Sequence, residues 1–339
     1  MVTRAVNRHV LTPGRVNLIG DHTDYTGGMV LPMAIDRYTK VSGTVGGERV
    51  QLTSSDEAEP VDLSLHIDRP QDAMPAWAKY VAGVVSELLP SSGFDGRVET
   101  NIPIGAGLSS SAALEVAIAL ALGFVGSALE LAQLCQRAEN RATGLPSGIM
   151  DQLAITAGVA EHALLIDCTA LTVTPIRLPD DVEVVVQFVA HRRLVGSPYA
   201  DRVAECAAAE RQIGPLRQAT LEQARSIDDP VARARAFHVI GENQRVTQFA
   251  SAVTAHDLNE AGRLMLASHT SLRALYQTST PAMDSAVDRL VQTRGVYGAR
   301  MTGGGFGGCV VALAEPGAVT EGLVVRAVDG AAVLSGEEE

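Results

Sequence analysis

The chain has 339 residues, a net charge of −12 and four cysteines. Its acidic balance argues against nucleic acid or an anionic membrane surface as a partner. No apolar run reaches the roughly 18 residues that a membrane span needs, and the first residues lack the apolar core of a signal peptide. The cysteines form no CxxC pair, so a zinc site is not expected. We therefore expect a cytoplasmic protein with reduced thiols, long enough for two domains.

The cations are almost all arginine, because the chain contains only two lysines, Lys40 and Lys79. Neither lysine lies in the GxxxxGK[ST] pattern of a P-loop. Their scarcity also leaves little room for the lysine of a protein kinase or of a Schiff-base cofactor. A bound phosphate would have to be held largely by backbone amides, arginine and a metal ion.

The first half of the chain predicts strands followed by helices. Short β-rich pieces are predicted at residues 30–35, 39–45 and 50–53. Helical spacing follows at residues 75–89, and residues 112–124 are apolar on nearly every face, which is typical of a helix in a domain interior. The next helix begins at a capping box of Ser127 and Glu130 and ends near Gly144.

A break at residues 178–181 predicts two domains, 1–178 and 179–339. A strand at residues 163–168 precedes the break, and an apolar run at 182–190 follows it. Helical patterns then dominate to about residue 293, before a strand, a glycine loop and a second strand. We expect the acidic tail, residues 337–339, to be frayed.

The run GRVNLIGDHTDY at residues 14–25 carries one arginine, two carboxylates, a histidine and a phenol between apolar segments. Such a density of short donors and acceptors suits a polyol, because fixed hydrogen bonds to each hydroxyl allow sugars to be discriminated. The alternative is a solvated loop whose Asp and Asn side chains cap their own backbone.

The run PIGAGLSSSA at residues 103–112 opens the apolar helix. Glycines let the backbone approach an anion, amides at a helix N-terminus point at it, and serine hydroxyls add donors or a metal ligand. This combination predicts a phosphate cradle. The alternative is a serine-rich N-cap after a flexible turn.

Two further runs could carry chemistry. PSGIMDQ at residues 146–152 places Asp151 just after a turn, where the carboxylate can act as a base or simply begin a helix. RMTGGGFGGC at residues 300–309 has five glycines in six positions and allows close approach to a ligand or to the other domain. As a lone signal the second run is weak.

In this order and at these separations, the four runs resemble the motifs of the galactokinases in the GHMP small-molecule kinase superfamily, and the resemblance covers almost the whole chain. It implies an α+β fold of two domains, the N-terminal one like ribosomal protein S5 domain 2 and the C-terminal one ferredoxin-like, with the active site in the cleft between them. It also implies phosphorylation of a sugar at its anomeric C1 hydroxyl, with ATP as co-substrate and Mg²⁺ as cofactor. The partners would be sugar and ATP, bound by a monomer or weak homodimer.

The resemblance assigns roles residue by residue. Asp151 would be the catalytic carboxylate and Arg15 would sit across the reacting oxygen, while Ser110 and Glu139 would bind Mg²⁺. Trp77 would pack near adenine, unless it is a core residue. The ATP phosphates would be held by Gly105, Gly107, Leu108, Ser109, Ser110 and Ser111. The sugar hydroxyls would be fixed by Asp21, His22, Asp24, Gly148 and Tyr199.

One departure from the family pattern concerns the acceptor. The family usually has glutamate where this chain has Asp21, and the missing methylene withdraws the carboxylate by about one bond length. A related sugar 1-kinase acting on L-arabinose or N-acetylgalactosamine is therefore an alternative. A galactokinase-like sugar sensor without turnover is another, although Arg15, Glu139 and Asp151 are all present. An enzyme acting on mevalonate or homoserine is disfavoured by the HTDY run.

Overall fold

The computed structural model describes residues 6–191 and 196–334, so the predicted acidic tail lies outside the described residues. Two sheets carry the fold. The strands of the first sheet are β1 (Val6–Ile19), β2 (Met29–Val45), β3 (Arg49–Ser54), β4 (Val61–Ser64), β5 (Phe94–Thr100), β6 (His162–Asp167), β7 (Thr172–Arg177) and β12 (Ala332–Leu334). The strands of the second sheet are β8 (Glu183–Ala190), β9 (Val296–Thr302), β10 (Gly308–Ala314) and β11 (Leu323–Val325).

The first sheet is built around the long antiparallel pair β1 and β2. Its main path runs β12-β1-β2-β5-β3-β4, and β6 branches from β2 and pairs with β7. The register of β1 against β2 shifts between Pro13 and Gly14 and again between Asn17 and Ile19. Such irregularities re-aim side chains at the end of a strand. The predicted polyol-binding run therefore begins at an irregular, buried segment of β1 rather than in a solvated loop.

Four helices accompany the first sheet: α1 (Ala78–Leu88), α2 (Ser110–Ala121), α3 (Ala128–Thr143) and α4 (Met150–Thr156). The capping box of Ser127 and Glu130 is present at the start of α3, and Gly144 ends that helix with φ of 70°. Helix α2 is buried from Ala112 to Ala119, as its mostly apolar sequence predicts. Its first two residues, Ser110 and Ser111, are partly exposed.

The second sheet has the antiparallel order β11-β8-β10-β9. Its helices are α5 (Tyr199–Ile213), α6 (Leu221–Arg225), α7 (Pro230–Thr254), α8 (Leu258–Ser271) and α9 (Pro281–Gln292), with a π-helical turn at Leu272–Tyr276. One apolar core extends from α1 and α2 to Phe249 on α7 and Val311 on β10, so the two sheet units pack directly on each other.

The predicted α+β class is confirmed, with two local differences. The strand pieces predicted at residues 30–35 and 39–45 are one continuous strand, β2, because the long neighbouring strand β1 pairs with both pieces through the irregularity. The last strand, β12, returns to the first sheet beside β1. The division between residues 178 and 179 stays a prediction; β8, in the second sheet, begins at Glu183. Across the described residues, no helix combines the length and the apolar character needed to cross a membrane.

Candidate active site

A cavity of about 760 Å³ lies where the two sheet units meet. Every predicted site residue except Leu108 lines it, although the chain brings them from β1, α2, α3, α4 and α5. Leu108 is buried beside the cavity, and its carbonyl accepts the backbone N–H of Arg15 at 3.2 Å. The lining also includes Gly303 and Gly304 of the loop between β9 and β10. The four sequence runs thus converge on one place.

Arg15 is the buried cation of this cavity. Its Nε donates to Asp151 Oδ1 at 2.7 Å, and its Nη2 to Asp151 Oδ2 at 2.5 Å. Its Nη1 donates to the carbonyl of Gly107 at 2.7 Å. Burial acts to lower the pKa of Arg15, but the charge and hydrogen bonds of Asp151 outweigh it and the pKa is raised. One guanidinium therefore joins the predicted catalytic carboxylate to the predicted phosphate loop.

Ser109 makes a contact that the sequence did not indicate. Its hydroxyl donates to Asp151 Oδ2 at 2.5 Å. This geometry depends on the left-handed backbone of Ser109, with φ of 62°, immediately before α2. Gly105 and Gly107 also have positive φ, 75° and 82°. The loop therefore turns at alternate residues, which requires glycine at two of them.

The N-terminus of α2 faces the cavity through Ser110 and Ser111. No hydrogen bond from a described side chain caps this helix end. Its first amides and the positive end of the helix dipole are thus available to an anion. This arrangement supports the predicted phosphate cradle over a simple serine N-cap.

Glu139, on α3, lies beside the start of α2 in the cavity lining. It accepts hydrogen bonds from Ser111 Oγ at 3.2 Å, Ser147 Oγ at 3.4 Å and Gln152 Nε2 at 2.7 Å. Burial, followed by the charge of Asp151, raises its pKa. Gln152 was missed by sequence reasoning, although it directly follows the predicted Asp151.

The oxygen atoms around Glu139 fit a Mg²⁺ ion better than a transition metal. Mg²⁺ prefers hard oxygen ligands and is commonly held by one or two carboxylates together with substrate phosphates. Ser110 and Glu139 both line the cavity, while Ser111 is the serine that bonds Glu139 directly. Within residues 6–191 and 196–334, no group of three or more His, Cys, Asp or Glu side chains could form a metal centre.

Asp24 and Gly148 are neighbours in the cavity lining. A Cβ added to Gly148 would lie 2.1 Å from Asp24 Oδ2, so only glycine allows this carboxylate to occupy its place. Burial, followed by the charge of Asp151, raises the pKa of Asp24 to about 7. The rings of His22 and Tyr199 lie beside each other here, with centroids 5.6 Å apart.

Asp21 is bound to the second sheet unit. Its Oδ2 lies 2.6 Å from Arg300 Nη1, and its Oδ1 accepts the Gly303 N–H at 2.9 Å. Both Asp21 and Arg300 are almost fully buried. Burial raises the pKa of Asp21, and Arg300 opposes that rise. Sequence reasoning did not name Arg300 as a site residue, although it opens the run that contains the glycine loop.

Trp77 borders the cavity near the start of α1, where it is 7 % exposed. Its indole N–H donates to the Glu59 carbonyl at 3.0 Å. Its neighbours Lys79 and Tyr80 also line the cavity. A role beside adenine and a role in the core both fit this position, and the assignment stays a prediction.

Three family models match the chain. The model described as "Galactokinase galactose-binding signature" covers residues 5–44, "GHMP kinases N terminal domain" covers residues 77–159, and "GHMP kinases C terminal" covers residues 249–323. The first two span the polyol-binding run, the phosphate loop and Asp151. The third includes Arg300 and the glycine loop.

Curated relatives and solved structures agree with these matches. A galactokinase of Roseiflexus sp. (strain RS-1) is 43 % identical over 93 % of this chain and 85 % of its own, and the galactokinase of Homo sapiens is 39 % identical over 96 % and 92 %. The crystal structure of Lactococcus lactis galactokinase complexed with galactose has a TM-score of 0.90 at 31 % identity, covering 97 % of this chain and 95 % of that one. A mevalonate kinase structure has a TM-score of 0.70 at 20 % identity, covering 95 % and 99 %, and shares the fold.

Proposed function

Since this chain belongs to the galactokinases of the GHMP kinase superfamily, we propose that it transfers the γ-phosphoryl group of ATP to the C1 hydroxyl of galactose. The observation that carries this proposal is the contact of Arg15 with Asp151 on one side and with the Gly107 carbonyl on the other. That contact supports the proposal because it joins Asp151, the proposed acceptor-orienting carboxylate, to the loop proposed to bind phosphate. Phosphoryl transfer depends mainly on such positioning and on charge neutralisation.

Asp151 acts on the acceptor hydroxyl. The carboxylate accepts the proton of the C1 hydroxyl or orients that hydroxyl, as the oxygen bonds to the γ-phosphorus and the bond to the β-phosphate oxygen breaks. Arg15 and Ser109 hold the carboxylate in one rotamer through three donors. Arg15 also carries positive charge to the place where negative charge accumulates on the transferring group.

The loop from Gly105 to Ser111 holds the β- and γ-phosphates through its amides and the N-terminus of α2. Glu139 and Ser110 would hold Mg²⁺ at this end of the cavity. When bound, the ion neutralises phosphate charge and orients the phosphates for in-line attack. A phosphate held by loop amides, Arg15 and Mg²⁺ would not need a lysine, so the scarcity of lysine in this chain is compatible with kinase chemistry.

Asp21, His22, Asp24, Gly148 and Tyr199 form the sugar end of the site. Asp21 pairs with Arg300, but a carboxylate has about four lone-pair directions, so it can still accept a sugar hydroxyl. The relatives named above are galactokinases, so an altered acceptor or a sensor without turnover is not favoured. Asp21 then replaces the family's usual glutamate without changing the acceptor from galactose.

We further propose that the enzyme works in the cytoplasm as a monomer or weak homodimer. Cys135, Cys168 and Cys206 are unbridged thiols, which suits a reducing compartment. The net charge of −12 suits a protein whose partners are small molecules rather than nucleic acid.

The test is a coupled ADP-release assay with Mg-ATP and a panel of galactose, L-arabinose, N-acetylgalactosamine and mevalonate. We expect ADP release with galactose and a phosphorus resonance coupled to the anomeric proton of the product. Activity confined to another sugar would overturn the proposed acceptor and leave the phosphoryl chemistry intact. Galactose binding without ADP release on any acceptor would support the sensor instead.

A further inference from the structure

A chain of hydrogen-bonding groups runs from the sugar end of the cavity into the second sheet unit. Tyr25 Oη lies 2.9 Å from His22 Nδ1 and 2.5 Å from Tyr276 Oη. Tyr276 Oη lies 3.0 Å from Cys206 Sγ. We call these four residues the hydroxyl chain. Only His22 among them lines the cavity.

The hydroxyl chain crosses between the two sheet units. His22 and Tyr25 belong to the polyol-binding run, while Cys206 lies on α5 and Tyr276 on the π-helical turn after α8. His22, Tyr276 and Cys206 are each at most 3 % exposed. The His22 ring also packs on the Tyr276 ring, with centroids 4.7 Å apart. The second unit thereby fixes both the position and the hydrogen-bonding of a predicted sugar-binding imidazole.

The direction of the protons follows from the chemistry of the four groups. Burial is the main cause that raises the pKa of Tyr25 and of Tyr276 well above the usual value, and burial raises the pKa of Cys206 to about 12. Each of these groups therefore keeps one proton at neutral pH. Imidazole nitrogen is a better acceptor than thiol sulfur. In the favoured order, Cys206 therefore donates its S–H to Tyr276, and Tyr276 donates its O–H to Tyr25. Tyr25 in turn donates its O–H to His22 Nδ1. In that order His22 Nε2 carries the ring proton.

We propose that Tyr25 and Tyr276 are positioning residues that hold His22 as an Nε2–H donor toward a sugar hydroxyl. This inference rests on the proposed function, because it takes His22 to be a sugar-binding residue. The two tyrosines touch no substrate themselves. Their hydroxyls act through His22, and they make sugar binding depend on the packing of the second sheet unit against the first.

The kinetic test removes single hydroxyls while retaining the rings. We expect Tyr276→Phe to raise the KM for galactose about five- to tenfold, with kcat and the KM for ATP changed less than twofold, since one buried hydrogen bond is lost. Tyr25→Phe should raise the KM for galactose at least as much. The double variant should have a KM for galactose no higher than that of Tyr25→Phe alone, because Tyr25→Phe already removes the hydrogen bond to His22. Tyr297→Phe is the matched control, because Tyr297 lies on β9 and is not part of the hydroxyl chain.

A spectroscopic test addresses His22 directly. In protein labelled with ¹⁵N-histidine at pH 8, the His22 signals, assigned with His22→Gln, should show a protonated Nε2 and an unprotonated Nδ1. In Tyr25→Phe the two nitrogens should move toward an averaged tautomer. A wild-type His22 protonated at Nδ1 would overturn the assigned direction.

The two proposals fail in different ways. If the wild type does not phosphorylate galactose, the proposed function fails, and the tautomer of His22 still reports on the hydroxyl chain. If the wild type phosphorylates galactose but Tyr276→Phe leaves the galactose KM unchanged, the inference fails alone. A variant with a lower kcat and a higher KM for both galactose and ATP would indicate a merely structural role, and would also overturn the inference.

Discussion

Arg15 and Asp151 face each other with two parallel hydrogen bonds, Nε to Oδ1 at 2.7 Å and Nη2 to Oδ2 at 2.5 Å. Arg15 is 2 % exposed and Asp151 is 28 % exposed, so the buried guanidinium presents the carboxylate to the cavity. Bidentate pairs of this kind fix orientation as well as charge. Under the proposed function, the acceptor hydroxyl would lie beside this pair.

Replacing Asp151 by Asn should lower kcat about 10²- to 10⁴-fold, which is the usual contribution of a positioned acid or base. Galactose binding should weaken much less, because the carboxylate acts mainly in the transition state. The measurements are steady-state kinetics and calorimetric titration with galactose. Asp167→Asn is the matched control, since Asp167 also pairs with an arginine, Arg217, at 3.0 Å, but lies outside the cavity lining. Near-normal turnover in the Asp151 variant would remove its assigned role.

The two neighbouring serines at the start of α2 should differ in their response to Mg²⁺. Ser110→Ala should raise the Mg²⁺ concentration needed for half-maximal activity about tenfold, because it removes a proposed ligand. Ser111→Ala removes only the 3.2 Å bond to Glu139 and should raise it less. The measurement is a Mg²⁺ titration at fixed ATP for both variants. An unchanged titration for Ser110→Ala, with a large change for Ser111→Ala, would transfer the role to Ser111.

The elements that the sequence predicted well are those with local signals. Helix α3 is predicted closely because Ser127 and Glu130 cap its start and Gly144 ends it, all within the helix and its flanks. The cavity could be anticipated because four chemically distinctive runs resemble one family. These runs carry the identities of the site residues but not their mutual contacts.

The contacts that the sequence could not give are set by packing between distant segments. The bond from Ser109 to Asp151 depends on a left-handed residue before α2, and three consecutive serines do not show which one takes that conformation. The pair of Asp21 with Arg300 joins residues far apart in the chain and in different sheet units. Neither hydrophobic periodicity nor secondary-structure propensity predicts an ion pair between such distant residues.

Asp24 should make the stability of the protein depend on pH. Burial raises its pKa from 3.8 to about 7 in the folded state, so between these values the folded protein holds a proton that the unfolded chain has lost. This contribution to stability is present below pH 3.8 and is lost as the pH rises through 7. Asp24→Asn lacks it, so its stability relative to the wild type should increase with pH by up to about 1.4 kcal/mol per unit between pH 4 and 7. Urea unfolding at pH 4, 5, 6 and 7 measures this, and a constant difference would contradict it.

Arg300 should be a major contributor to folding stability. It lies between the buried carboxylates of Asp21 and Glu242, with Nη1 and Nη2 at 2.6 Å and 3.7 Å from them. Arg300→Met leaves both acids without this charge and should cost about 3–5 kcal/mol of unfolding free energy, measured by urea unfolding at pH 7. Arg263→Ala, which breaks an exposed pair with Glu260, is the control and should leave the urea midpoint nearly unchanged.

Two further measurements separate lost charge compensation from lost packing at Arg300. The triple variant Arg300→Met, Asp21→Asn, Glu242→Gln should recover part of the stability, because no uncompensated carboxylate remains buried. The stability deficit of the single variant should also shrink as the pH falls from 4.5 toward 2. Burial acts to raise the pKa of Glu242, but Arg245, His238 and Arg300 together lower it to about 2, so the wild type loses that stabilisation in this range. A deficit that is independent of pH and persists in the triple variant would assign the effect to packing of the arginine side chain.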